Sequence, residues 1–344
     1  MVGDDGSGEI ANSWSGAMLN YPVDSPFNCC GFYQPSYDLV NAFKTDANGL
    51  PMIDSYTADP YLHDRGVGST EEFTMPTGIT FDPRLDWTVG RRGVPYHDHG
   101  PHPGARYIRG PHSYAGPFSP KKHVWRRADA DIAYNPNSWA PGSGVDYPVI
   151  RFADVLLMAA EAEYHAGSLD QARQYVNRVR RRAANPDDFV DNSLNEAFAA
   201  ATITDPSQLA DVDVSTGDWV VDTANDVTYV LIDDGTWQEY PNPADSYNIA
   251  EYTAAEFGTG DEALRKIHFE RRLELAMEGH RFYDLVRWGR AQERMNEYFA
   301  FQGKYTTDVR GAQFRYEVFP IPQSQIDLSV VEGQPMLEQN PDYQ

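Results

Sequence analysis

The chain is short of several things that common functions require. It has two cysteines in 344 residues, and only five of its 28 basic residues are lysines. Cys29 and Cys30 are adjacent, a spacing that excludes a CxxC metal or redox site. They can close a vicinal disulfide or remain a pair of half-buried thiols. No apolar run approaches the roughly 18 residues of a membrane-spanning helix. The opening MVGDDGSGEIANSW is polar and acidic, without the apolar stretch of a signal peptide. No apolar leader precedes a cysteine that could carry a lipid anchor. Phosphate-binding glycine loops, the G-x-S-x-G elbow and HExxH are absent. The net charge of −23 argues against nucleic acid or an anionic membrane surface as partner.

What is present is concentrated in one stretch, Ile267 to Gly289, IHFERRLELAMEGHRFYDLVRWG. At about 100° per residue, Leu264, Ile267 and Leu275 share a helical face with Arg271, Glu274 and Glu278. Phe269, Leu273, Ala276 and Met277 occupy a second face nearly opposite. A helix apolar on two sides is buried, and buried charges persist only when paired and hydrogen-bonded. The stretch therefore predicts an internal ionic network. Its members are Glu270, Arg271, Glu274 and Glu278, with Arg281, Asp284 and Arg287 as partners. A carboxylate pair could instead do general acid/base work. The arginines are nearly as numerous as the acids, however, which favours carboxylates held ionised.

The rest of the chain divides by texture. Residues 1–146 are punctuated by Pro and Gly, as in GRRGVPYHDHGPHPG, and read as long loops. A short helix is expected after Ser36. Residues 147–185 carry Phe152, Val155, Leu156, Ala159 and Ala160 at helical spacing, then Gly167 as a stop. Ser168 and Gln171 suggest a capping box for a second helix with Ala172, Tyr175, Val176, Val179 and Ala183 on one stripe. Together they read as an antiparallel hairpin of tetratricopeptide (TPR) type. Residues 205–250 read as a small β-containing insertion, with strands about an Asp234–Gly235 turn. Residues 261–300 form the helical core and 301–344 an extended tail.

Four stretches, in order, resemble the SusD/RagB family. They are GFYQPSYDLVNAF (31–43), YPVIRFADVLLMAAEAEYHAG (147–167), ERRLELAMEGHRFYDLVRWG (270–289), and FPIPQSQIDL (319–328) followed by QNPDY (339–343). The resemblance implies a mainly α, SusD-like fold in which a TPR-type hairpin and buried helices carry long irregular loops. It also implies a nutrient-binding outer-membrane lipoprotein on the extracellular face of Bacteroidetes-type bacteria. Such a protein captures oligosaccharide or polysaccharide, or sometimes peptide, for a partner SusC-like TonB-dependent transporter. It performs no chemistry and needs no cofactor. Against the family pattern the chain begins near the middle of a member, so it is expected to be a C-terminal portion.

Family ligand residues cannot be carried over, so the candidate site rests on the loop aromatics. Sugar rings lie flat on indole and phenol faces, and rigid aromatics give contact area at low entropic cost. The candidates are Trp87, Tyr96, Tyr107, Trp125 and Trp139, with Asp98 for hydroxyls; Trp14 and Tyr114 are further loop aromatics. The competing reading is that such rings fill gaps beneath loops. His97, His99, His102, His112 and His123 cluster in sequence, but a Pro/Gly loop lacks paired metal-ligand spacing. No metal is expected. The 267–289 stretch is expected to clamp scaffold to loops without touching ligand. Two other functions stay open: a helical glycan-active hydrolase using a carboxylate pair, and a TPR-type scaffold for protein partners.

Overall fold

The computed structural model describes residues 20–28, 30–110, 115–135, 142–233 and 235–343. Cys30 is disulfide-bonded rather than a free thiol, whereas Cys29, Trp14, His112, Tyr114, Trp139 and Asp234 fall outside the described residues. The fold is mainly helical. Helix α1 (Tyr37–Ala42) starts at Ser36, whose hydroxyl accepts from Leu39 N at 3.1 Å. Helix α2 (Arg84–Thr88) is a second short helix in the loop half, followed by β1 (Val89–Gly90), which pairs with β2 (Ser119–Pro120).

Helices α3 (Phe152–Ala166) and α4 (Leu169–Ala183) form the hairpin. Gly167 adopts φ +86°, and Ser168 N donates to Glu163 O at 2.8 Å while Gly167 N donates to Tyr164 O. This closure satisfies the last carbonyls of α3. It also sets Ser168 at ψ 67°, so its side chain makes no capping bond. The expected capping box does not form, because the residue is already used to end the preceding helix.

Helix α5 (Asp261–Glu274) is the wall between two cores. Ile267 and Ala263 pack with Leu157, Ala160, Val176 and Val179 of the hairpin. Phe269, Leu273 and Ala276 pack with Tyr37, Phe43, Phe81, Leu85 and Phe118 of the loop half. Each fully buried large side chain of this kind contributes about 1.5–3 kcal/mol. The helix is shorter than its sequence period predicts. It ends at Glu274, and Met277 (φ 63°) with Gly279 (φ 83°) turns the chain into α6 (His280–Arg287). Helix α7 (Ala291–Gln302) follows. The turn folds α6 back so that Asp284 meets Arg271.

The sheet has the order β3 (Ala201–Ile203), β4 (Trp219–Asp222), β5 (Val227–Asp233), β6 (Thr236–Pro241), with β3 parallel to β4 and the remaining pairs antiparallel. It packs on the loop half through rings that demand glycine opposite them. A Cβ on Gly93 would stand 2.1 Å from the Tyr240 ring, and one on Gly100 would stand 2.7 Å from Trp219. No helix among the described residues is long and apolar enough to cross a membrane.

Candidate functional site

The ionic network is wider than its own sequence stretch. Glu270, Arg271, Glu274, Glu278 and Asp284 are all buried. Arg271 donates to Asp154 of α3 at 2.7 Å and to Asp284 at 3.0 Å. Arg287 donates to Asp284 at 2.8 Å and to Glu161 at 2.7 Å. Glu270 lies 2.7 Å from Arg84 and 2.9 Å from Arg180. Both oxygens of Glu274 are occupied, by Arg84 (2.9 Å), Arg151 (2.5 Å) and Arg182 (2.8 Å). Glu278 takes Lys122 at 2.5 Å and Arg151 at 2.8 Å. Arg281, expected as a member, makes no ion pair among the described residues. Its guanidinium lies 5.7 Å from the Trp288 ring.

The partners that lie outside the stretch are therefore Arg84 and Lys122 of the loop half and Arg151, Asp154, Glu161, Arg180 and Arg182 of the 147–185 segment. Composition held one hint: Lys121 and Lys122 are two of only five lysines in the chain. Burial alone would raise the pKa of Glu274, but Arg84, Arg182 and Arg151 hold it down to about 2. Burial likewise opposes ionisation of Glu278, and Arg151 and Lys122 lower it. Acids held ionised in this way do not donate protons at neutral pH.

Above the network opens a cleft of about 670 Å³, within the range of small-molecule sites. Its floor includes Glu274, Glu278, Arg84 and Arg151, and its rim includes Trp87, Arg126 and Asp146. The 267–289 stretch, expected to clamp scaffold to loops without touching ligand, supplies Glu274 and Glu278 to the lining of this cleft. Trp87 is half-buried; its Nε1 donates to Asp188 O at 2.8 Å, which fixes the ring. Lys121 Nζ and the Arg126 guanidinium lie 5.4 and 5.9 Å from the ring centroid. Lys121 is turned inward, donating to Asp86 O (2.5 Å) and Pro95 O (2.6 Å), whereas Arg126 is exposed.

The other described aromatics do not join Trp87. Tyr96, Tyr107 and Trp125 are 0%, 4% and 4% exposed. Tyr96 and Tyr107 pack edge-on against Phe27 and Trp125 tilts against it, at centroid distances of 5.4–5.7 Å. A ring with no free face cannot stack on a sugar, so these three fill the space beneath the loops. Asp98 is committed too: its carboxylate accepts from Arg127 N at 2.8 Å and Ala128 N at 2.9 Å.

The histidines pin loop to loop. The Nε2 of His97, His99 and His102 meet Lys121 O, Trp125 O and Ser119 Oγ, each at 2.9 Å. Burial lowers the pKa of His99 to about 4 and of His102 to about 3. His123 stacks on Tyr147. No group of three metal-ligating side chains occurs among the described residues.

A model of the SusD family matches residues 2–206 and 232–343. This chain belongs to the SusD family. The internal unmatched residues, 207–231, include β4 and most of β5 of the SusD-family chain. Similar solved structures include a SusD-like protein from Bacteroides fragilis, at 18% identity and a TM-score of 0.36, covering 76% of this chain and 36% of the other. A SusD superfamily protein from Bacteroides vulgatus has 18% identity and a TM-score of 0.35, covering 89% and 54%. The chain thus spans between a third and just over half the length of these relatives. No curated protein matches it.

Proposed function

We propose that this SusD-family chain binds glycan nutrients in the cleft over the ionic network, without chemistry. The observation that carries the reading is the rim of that cleft. One half-buried indole, Trp87, is held by Asp188 O beside an exposed guanidinium, over a floor of fixed charges. A rigid apolar face next to hydrogen-bonding groups suits a sugar, whose C–H faces and hydroxyls need both. Membership of the family supports capture of oligosaccharide for a SusC-like TonB-dependent transporter, at the extracellular face of the outer membrane. The paired state of Glu274 and Glu278 weighs against a hydrolase.

Affinity electrophoresis through gels containing different polysaccharides tests this reading. Retardation by at least one glycan, lost in Trp87→Ala, is expected. Unchanged mobility in every glycan would favour a scaffold for protein partners. Release of reducing ends from the polysaccharide would favour the hydrolase.

A further inference from the structure

On the side of α5 that carries His268 and Arg272 lies a small second cavity of about 50 Å³. Its lining includes five arginines (265, 272, 281, 290 and 294) and no carboxylate among the described residues. Four of them are neutralised from outside the wall. Arg265 pairs with Asp54, Arg272 with Asp38, Arg290 with Glu293, and Arg294 with Glu297. Arg281 is the exception, and its Nη1 is buried with no hydrogen-bond partner among the described residues.

The two carboxylates that act on Arg281 through space cannot serve it. Asp284 gives one oxygen to Arg271 (3.0 Å) and the other to Arg287 (2.8 Å). Asp38 gives its oxygens to Arg272 and to the hydroxyl of Tyr56. Burial, then the neighbouring Arg272, weaken the hold of Arg281 on its proton. A guanidinium does not deprotonate in a protein, so this charge must be met in another way. The neighbouring His268 cannot help. It stacks on Trp288 at 3.5 Å, its Nε2 is 4.0 Å from Glu161, and burial keeps it neutral at pH 7.

We propose that this cavity binds a small oxyanion, a carboxylate or sulfate-type group, through Arg281. A fork of N–H donors matches the two oxygens of such a group. The volume takes a few waters or one oxyanion head but not a sugar ring. The site is separate from the Trp87 cleft and does not depend on glycan binding there.

Calorimetric titration with sodium sulfate and sodium acetate, at constant ionic strength in chloride, tests the proposal. A third titration with galactose 6-sulfate distinguishes a free ion from a head group carried on a sugar. Saturable binding with one site is expected for the wild type. Arg281→Gln should lose at least tenfold in affinity, whereas Arg178→Gln, an exposed arginine on α4, should not. Arg281→Gln should also melt no lower than wild type in chloride, because it removes an unpartnered buried charge. Should it fail to fold, Arg281→Lys keeps the charge and loses the fork, and weaker binding is again expected. No saturable binding of any probe, or equal affinity in the Arg281 variants, would overturn the proposal.

Discussion

Nη1 of Arg271 lies 2.7 Å from Oδ1 of Asp154, across 117 residues of sequence. The pair joins α5 to the first turn of α3 and shares Arg271 with Asp284. Its side chains are 4% and 5% exposed, so neither charge has water to fall back on. Arg271→Ala should therefore cost about 3–5 kcal/mol, read as a shift of the urea midpoint. The double variant with Asp154→Ala should cost less than the sum of the two singles, because it strands fewer charges. Glycan retention should survive in the folded fraction. Full stability with lost binding would count against this role.

Glu274 sets a pH dependence. Its pKa falls from 4.5 in the unfolded chain to about 2 in the fold, so folding favours the ionised form. The stabilisation is fully present above about pH 4.5 and is lost as pH falls towards 2. The difference corresponds to about 3 kcal/mol. Urea midpoints measured between pH 6 and 2.5 should fall along this limb. Glu274→Gln should be less stable at pH 6 and show a flatter acid limb.

The elements with strong local period were legible in the sequence, and the site mostly was not. The two-sided pattern of Ile267, Phe269 and Leu273 read correctly as burial between two cores, because the periodicity of one helix records both neighbours. The end of α5 did not show. Met277 in a left-handed conformation is imposed by the surrounding packing rather than by its own preference. The partners Arg84 and Arg151 lie 190 and 123 positions from Glu274, and no spacing rule reaches that far. Nor can composition tell a platform from a filler. Trp87 and Trp125 sit in similar Pro/Gly-rich surroundings, yet one reaches the cleft rim and the other packs under Phe27.

That difference makes the two tryptophans a paired test. Trp125→Ala should destabilise by about 3–5 kcal/mol, since it empties a packed cluster. Trp87→Ala loses a half-buried ring and one hydrogen bond to Asp188 O, about 1 kcal/mol of bonding. In affinity gels Trp87→Ala should lose retardation while its melting temperature stays near wild type. If retardation follows melting temperature across both variants, Trp87 is a packing residue as well.

Arg126 predicts the charge preference of the cleft. Arg84, Arg151 and Lys122 are bound to Glu274 or Glu278, and Arg182 to Glu274. Arg126 is exposed, sits 5.9 Å from the Trp87 ring, and makes no ion pair among the described residues. On a chain of net charge −23, an acidic glycan meets long-range repulsion and needs a local cation to dock. Its binding should therefore tighten with added salt where repulsion dominates, and weaken where the Arg126 contact dominates. The contact lies at contact range beside the ring, so weakening between roughly 0.05 and 0.3 M salt is the expected sign. Arg126→Gln should remove that weakening for a uronate-containing glycan and leave a neutral glycan unaffected. Equal loss for both glycans would mean that Arg126 only shapes the rim, and Trp87 would then select by sugar face alone.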